Sequence, residues 1–286
     1  MTDTYLIKDA RSRQFIDGVP DLKQRFWEDG YIMLRGAFTP QEMAILREAI
    51  QRCGQMNERF VEVQKKYHSG KYPSFETIFV MDDVFGDNIF SKVTRRYQII
   101  DTISYLFDDD AYVYHNKVTL KYPDMPGFKF HQDYFYWYQM GCLLPHMATC
   151  FVAVDPATRD NGCLKLMRGT HRLGRIDHEL YDGFSDSEVE PRRLAVIKER
   201  FEEDYMEMNP GDALIFHCNT LHGSDANSSD QSRLALLGCF NTRRNDPFDK
   251  SWSHPSYAPQ KRVFDPLEIR DIINLPDFTV NFAETD

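Results

Sequence analysis

The stretch AYVYHNKVTLKY, Ala111–Tyr122, decides the fold class. It is rich in β-branched and aromatic residues, and it alternates with the period of an extended strand. His115, Lys117, Thr119 and Lys121 fall on one face, and Tyr114, Val118 and Leu120 on the other. Downstream, residues 128–137, 147–154, 163–167, 205–208, 212–217 and 233–241 read as further strands. Turn residues separate them: Pro123 to Gly127, Asp160-Asn161-Gly162 and Asn209-Pro210-Gly211-Asp212. Many short strands, with no helix alternating between them and no internal repeat, predict an antiparallel sandwich or barrel.

Upstream the texture is helical. Leu22, Phe26 and Trp27 are spaced for one helix face, and Gly30 follows as a stop. Tyr31-Ile32-Met33-Leu34 reads as a strand. Thr39-Pro40-Gln41-Glu42 reads as a helix start, with Thr39 capping, Pro40 at the first helical position and Glu42 closing a capping box. Residues 55–90 mix aromatics, charges and single glycines, as an insertion packed on the core or a substrate lid would. Residues 175–200 are polar and read as a long excursion between strands. No linker composition interrupts the chain. The expectation is therefore one domain over 1–286: a helical part to about 110, a β core over about 111–245 and an extension over 246–286.

Composition narrows the function. A formal net charge of −10 argues against nucleic acid as the main partner, because phosphate binding needs a basic surface. No window approaches the roughly 20 apolar residues of a membrane span, and the N-terminus lacks an apolar signal region. The six cysteines form no CxxC pair, so they read as buried reduced thiols. A cytoplasmic protein, monomeric or homodimeric, is expected.

The chemistry centres on Phe130-His131-Gln132-Asp133. On an extended chain His131 and Asp133 would point the same way and reach one metal ion. An imidazole–carboxylate pair suits Fe(II), Mn(II) or Zn(II), but HxD alone is weak evidence, since both residue types are common. A third ligand comes from the segment NPGDALIFHCNTLHGS, Asn209–Ser224, where a Pro-Gly-Asp turn leads through an apolar strand to His222-Gly223. Eleven residues on, Arg233 opens the apolar strand Arg233-Leu234-Ala235-Leu236-Leu237. An arginine there is costly to bury unless it meets an anion, and its fork matches a carboxylate. Ser224 could donate a hydroxyl to the same anion.

These motifs, taken in order, resemble the phytanoyl-CoA dioxygenase family of Fe(II)/2-oxoglutarate oxygenases. The matching pieces are Asp29-Gly30-Tyr31, His115 through Lys121-Tyr122-Pro123, His131-Gln132-Asp133, Asp160-Asn161-Gly162-Cys163-Leu164, Arg168-Gly169-Thr170-His171, Pro210-Gly211-Asp212, and His222-Gly223-Ser224 with Arg233. The resemblance implies a double-stranded β-helix (jelly-roll, cupin-like) core, mainly β with flanking helices. It implies that His131, Asp133 and His222 hold Fe(II), and that Arg233 and Ser224 grip the distal carboxylate of 2-oxoglutarate. It places His115, Lys121 and Phe151 near further cosubstrate contacts. It also implies O2 as oxidant, ascorbate as an activator, release of succinate and CO2, and a small-molecule or acyl-thioester substrate. Hydroxylation is the expected outcome, since the carboxylate ligand is present where related halogenases have a small residue. Desaturation, epoxidation or cyclisation on the same iron is the alternative. A cupin-like metal protein without 2-oxoglutarate, or a non-catalytic binding module, is the alternative of another class.

Other residues read as bland. His217 is expected to be a core histidine with Cys218 packing beside it, and His171 to shape the pocket rim. His68, His146, His178 and His254 read as surface or structural. Asn161-Gly162 reads as a simple hairpin-type turn. Alternate members of Tyr134, Phe135, Tyr136, Trp137 and Tyr138 are expected to face the cavity. Arg168, Arg172, Arg175, Arg243 and Arg244 could meet an anionic group but read as solvated.

Overall fold

The computed structural model describes residues 9–52, 76–79, 88–182, 186–249, 251 and 255–273. Its strands are β1 (Tyr31–Leu34), β2 (Glu76–Phe79), β3 (Ala111–Lys121), β4 (Ala148–Ala153), β5 (Leu164–Met167), β6 (His178–Asp182), β7 (Asp186–Val189), β8 (Glu203–Tyr205), β9 (Ala213–His217), β10 (His222–Ser224) and β11 (Arg233–Thr242). Its helices are α1 (Ala10–Asp17), α2 (Leu22–Asp29), α3 (Pro40–Arg52), α4 (Ile89–Thr94), α5 (Tyr97–Phe107), α6 (Asp133–Gln139), α7 (Pro191–Lys198) and α8 (Arg270–Ile273). One sheet has the order β1-β9-β4-β11-β3-β2 and a second the order β10-β5-β8, with β6-β7 as a separate hairpin. All pairings of named strands are antiparallel. Among the described residues no helix is long and apolar enough to cross a membrane.

From His115 to Lys121 the alternation sorts the two faces of the large sheet, but a β-bulge opposite Cys239 and Phe240 breaks it upstream, so Val113 joins the cluster of Val118 while Tyr114, expected on the Val118 face, joins the cluster of Cys239. Val118 of β3, Leu234 and Leu236 of β11, Val152 of β4 and Ile215 of β9 share one buried cluster with Met43, Leu46, Phe90, Val93, Ile99 and Ile103 of the helices. The opposite face looks toward the small sheet. There Phe151, Leu214, Phe216 and Ala235 pack with Leu166, Cys163 and Met206. Register then fixes what else points inward: Arg233 lies opposite Lys121, Ala235 opposite Thr119 and Ala153, and Cys239 opposite His115 and Thr149. The polar face of β3 therefore lines the space between the sheets. Buried polar groups need partners, so this interior is chemically demanding in a way an apolar core is not.

The N-terminal expectations hold. Gly30 ends α2 with φ 87°, and a Cβ there would fall 2.5 Å from His171 Nδ1, so only glycine fits. Thr39 N–H donates to Glu42 at 2.9 Å and Glu42 N–H to Thr39 Oγ1 at 3.2 Å, closing the capping box. Cys142, Cys150, Cys163, Cys218 and Cys239 are free and buried.

Three further expectations need correction. Residues 128–137 are not a strand: His131 makes an isolated bridge and Asp133–Gln139 is helical. Tertiary packing overrides β propensity there, since Tyr134 and Trp137, at helical spacing, join Tyr112, Tyr114 and Met147 in one aromatic cluster. Strict alternation of residues 134–138 between cavity and exterior therefore fails. The polar excursion at 175–200 runs between β5 and β8 as expected, and it carries β6, β7 and α7, anchored by Ile176, Val189, Leu194 and Ile197 against Phe130, Met167 and Leu221. The strand expected at 205–208 lies at Glu203–Tyr205. The insertion-or-lid reading of 55–90, His68, His254 and Cys53 falls outside the described residues, apart from β2 and residues 88–90.

Candidate active site

His131 and His222 are brought together by backbone hydrogen bonds. His131 N–H donates to the His222 carbonyl at 3.0 Å, and His222 N–H returns the bond at 3.1 Å. Directly paired residues on antiparallel segments present side chains side by side, and the two imidazole centroids are 4.2 Å apart. Asp133 arrives by a different route than the extended-chain argument supposed. It is the first residue of α6, one step past the extended Gln132. Its Oδ1 lies 3.8 Å from His222 Nε2. One ligand atom from each of His131, Asp133 and His222 lies within 4.8 Å of the others, and all three residues are buried.

The tautomers are fixed locally. His131 Nδ1 is 2.9 Å from the Lys129 carbonyl, and His222 Nδ1 is 3.0 Å from the Thr220 carbonyl. A carbonyl only accepts, so each Nδ1 carries the proton and each Nε2 lone pair faces the site. Burial holds both imidazoles neutral, with their pKa values below the usual histidine range. Burial opposes ionisation of Asp133, but His222, Lys117, His131 and the Thr149 hydroxyl together hold it below the usual carboxylate range. Two neutral imidazoles and one carboxylate converging in a buried space form a donor set that fits Fe(II) and leaves one face of an octahedral ion open.

Gln132, between His131 and Asp133, ties their supports together. Its Nε2 donates to the carbonyls of Gly174 (2.8 Å) and Asn219 (2.7 Å), and its Oε1 accepts from Ile176 N–H at 2.7 Å. Asn219 lies in the turn that delivers His222, so one side chain braces both segments of the cluster. Gln132 N–H donates to His178 Nε2 at 2.9 Å. Burial pushes His178 down to about 4, which keeps that nitrogen free to accept.

A second polar centre lies further along β10 and β11. Lys121 is 0% exposed and Arg233 4%, and they are cross-strand neighbours. Burying both together is costly, and Lys121 Nζ donates to the Asp225 carbonyl as well as to Ser224; an anion between the two side chains would favour the charged form of each. Arg233 Nη1 donates to the Gly162 carbonyl, while its buried Nε has no hydrogen-bond partner among the described residues. The guanidinium carbon sits 5.6 Å above the Phe151 ring. Ser224 Oγ accepts from Lys121 Nζ at 2.9 Å and from Phe128 N–H at 3.1 Å, which leaves its own proton to donate. Gly162 has φ +70°, and a Cβ there would sit 2.7 Å from Lys121 Nζ. The Asn161-Gly162 turn thus shapes this centre and is more than a hairpin connection.

Of the residues singled out in the sequence, His131, Asp133 and His222 form one cluster, and Arg233, Ser224, Lys121 and Phe151 another. Two residues along a strand span about 6.6 Å, which is the step from His222 to Ser224. His115 is not at the Arg233 end. It lies six residues from Lys121 along β3, against Trp137 with ring centroids 6.0 Å apart and opposite Cys239. His171 does not shape a rim either. It is buried against Trp27 and His217, and its Nε2 lies 3.1 Å from the Trp27 carbonyl. His217 is a core histidine, as expected, receiving Asn219 N–H at 3.0 Å. Sequence reasoning missed Gln132 and Thr149, because both act through partners distant in the chain.

Comparison with known proteins shows the family and the fold. The model of the phytanoyl-CoA dioxygenase (PhyH) family matches residues 26–235. An ectoine dioxygenase of Stutzerimonas stutzeri (strain A1501) is 26% identical over 271 residues, covering 87% of this chain and 86% of its own length. A 2-aminoethylphosphonate dioxygenase of an uncultured bacterium (HF130_AEPn_1) is 30% identical over 183 residues, 62% of this chain and 66% of that one. The crystal structure of EctD from S. alaskensis with bound Fe superposes with a TM-score of 0.66 at 18% identity, over 93% of this chain and 90% of that one. The core is thus the expected jelly-roll of that fold. The chain belongs to the phytanoyl-CoA dioxygenase family, and it is an iron- and 2-oxoglutarate-dependent oxygenase.

Proposed function

We propose that this enzyme hydroxylates an unactivated C–H bond of a small molecule. In this reading His131, Asp133 and His222 hold Fe(II), and Arg233, Ser224 and Lys121 hold the distal carboxylate of 2-oxoglutarate. The observation that carries it is the pair of buried cations, Lys121 and Arg233, one strand step from the His222 cluster. Their hydrogen bonds to Ser224 and to the Asp225 and Gly162 carbonyls leave the buried Arg233 Nε to meet a further acceptor, as a dicarboxylate cosubstrate would supply. When bound, iron and 2-oxoglutarate together supply the oxidation of the substrate C–H by O2, releasing succinate and CO2.

The chain's own residues orient and exclude. The Arg233 fork gives the carboxylate a directional partner, Ser224 adds a hydroxyl donor, and Phe151 walls the guanidinium from water. His115, next to Trp137, falls on the substrate side rather than on the cosubstrate. A small molecule is favoured over an acyl thioester because two of the arginines that could have met a coenzyme phosphate are engaged with carboxylates. Arg168 makes a forked pair with Asp204 (2.9 and 2.8 Å), and Arg244 is 3.3 Å from Asp109. Ectoine and 2-aminoethylphosphonate, named for two relatives, are small molecules. The test is anaerobic addition of 2-oxoglutarate to the Fe(II)-loaded protein. A visible charge-transfer band is expected, followed by slow succinate release in air that a true substrate accelerates. Absence of the band would sink the cosubstrate assignment.

Cosubstrate binding should depend on pH through Lys121. Burial, and then repulsion from Arg233, push its ammonium down to about 7, against the opposing pull of Asp225, with Cys163 and Lys165 also facing it. A bound carboxylate favours the charged form and raises that value. Affinity is therefore fully present below pH 7 and falls as pH rises above it, by up to about tenfold per pH unit until the complex itself deprotonates. The KM for 2-oxoglutarate measured from pH 6 to 9 should climb in the wild type and stay flat in Lys121→Met. A flat wild-type profile would contradict the role of Lys121.

A further inference from the structure

We propose that Thr149 is a positioning residue whose hydroxyl holds one oxygen of Asp133, so that the other is presented singly to the metal. The inference rests on the ligand assignment above. Thr149 lies on the inner face of β4, is 0% exposed, and donates from Oγ1 to Asp133 Oδ2 at 2.5 Å. The remaining oxygen, Oδ1, is the one 3.8 Å from His222 Nε2. A carboxylate held in this way offers one oxygen toward the two imidazoles. Its second oxygen is withheld, so it cannot occupy a position that the cosubstrate or O2 requires.

The hydroxyl is itself fixed from two sides. Threonine is stiff at χ1, so its methyl and hydroxyl cannot readily exchange places. Cys239 Sγ lies 3.6 Å from Thr149 Oγ1. Since the one hydroxyl proton goes to Asp133, the thiol is the donor in that contact. Burial keeps the thiol protonated, pushed up to about 12. A chain of donors, Cys239 S–H to Thr149 O–H to Asp133 Oδ2, thus runs from β11 through β4 to the start of α6. Outer partners of this kind typically change metal affinity 10- to 100-fold when lost, because they fix the ligand's orientation.

The full-length metal-free protein, titrated with Co(II) and followed by calorimetry and visible absorption, tests this. Thr149→Val keeps the shape and removes the hydroxyl. It should bind Co(II) about 10- to 100-fold more weakly and give a changed ligand-field spectrum, with the thermal midpoint of the metal-free protein near wild type. Thr149→Ser restores the hydroxyl and should bind like wild type. If the valine variant does not fold, alanine against serine decides: weak binding by alanine and wild-type binding by serine support the role. Wild-type affinity in Thr149→Val, or equal losses in the serine and alanine variants, would overturn it in favour of simple packing. Asp133→Ala in the same titration separates the two claims. Retained Co(II) binding there removes the ligand assignment itself, whatever Thr149 does.

Discussion

Asp133→Ala is expected to give a folded protein that no longer couples 2-oxoglutarate to oxidation, with turnover reduced more than about a thousandfold. The carboxylate is the only anionic member of the buried cluster. Two imidazoles alone leave a divalent cation under-neutralised in a site that excludes water. Loss of several kcal/mol of charge stabilisation, at tenfold per 1.36 kcal/mol, gives a factor of this size. The fold should survive. Asp133 is the first residue of α6, and the helix is held by Tyr134 and Trp137 in their aromatic cluster, not by the carboxylate. Asp133→Asn provides the control. Its amide oxygen can still accept from Thr149, so its thermal midpoint should match wild type while turnover is lost as in alanine. The measurements are bound iron per chain and succinate release. Activity within tenfold of wild type in either variant would sink the assignment of Asp133 as a ligand.

The legibility of this fold followed the length scale of the interactions. Where local periodicity and burial agree, the sequence was readable. The alternation from His115 to Lys121, the capping box at Thr39 and the stop at Gly30 all fold as their local chemistry suggests, whereas the bulge that turns Tyr114 to the other face is set by pairing with β11. The residues after Asp133 were not readable, because tyrosines and a tryptophan favour strands in isolation, and only the cluster with Tyr112 and Tyr114 makes them a helix. His131, Asp133 and His222 are legible as a set through the order of the family's motifs, and the structure brings them together, but extended-chain spacing is not what joins the first two. His131 and Asp133 converge through a strand bridge and a helix start, not through alternation on one strand. Thr149 and Gln132 carried no local signal at all. A threonine among strand residues, or a glutamine in a loop, becomes informative only when a partner 16 or 87 residues away is known.

Arg233→Ala should separate the cosubstrate from the metal. Its expected effect is a rise of about a hundredfold or more in the KM for 2-oxoglutarate, with Fe(II) or Co(II) affinity unchanged. Truncating one partner of a buried, hydrogen-bonded charge pair costs about 2–5 kcal/mol, much of it from leaving the other charge unpaired. Arg233→Lys should recover only part of the loss. A lysine keeps the charge but not the fork, and it cannot at once meet the Gly162 carbonyl and grip a carboxylate as the guanidinium does. Removing the guanidinium also removes the charge that helps depress Lys121. The lysine should then stay protonated to higher pH, so the pH at which the KM begins to climb moves upward in Arg233→Ala even as the KM itself worsens. A merely structural arginine would change stability and leave that inflection near pH 7. An unchanged KM, or a raised KM with an unmoved inflection, would show that Arg233 and Lys121 do not share one anion.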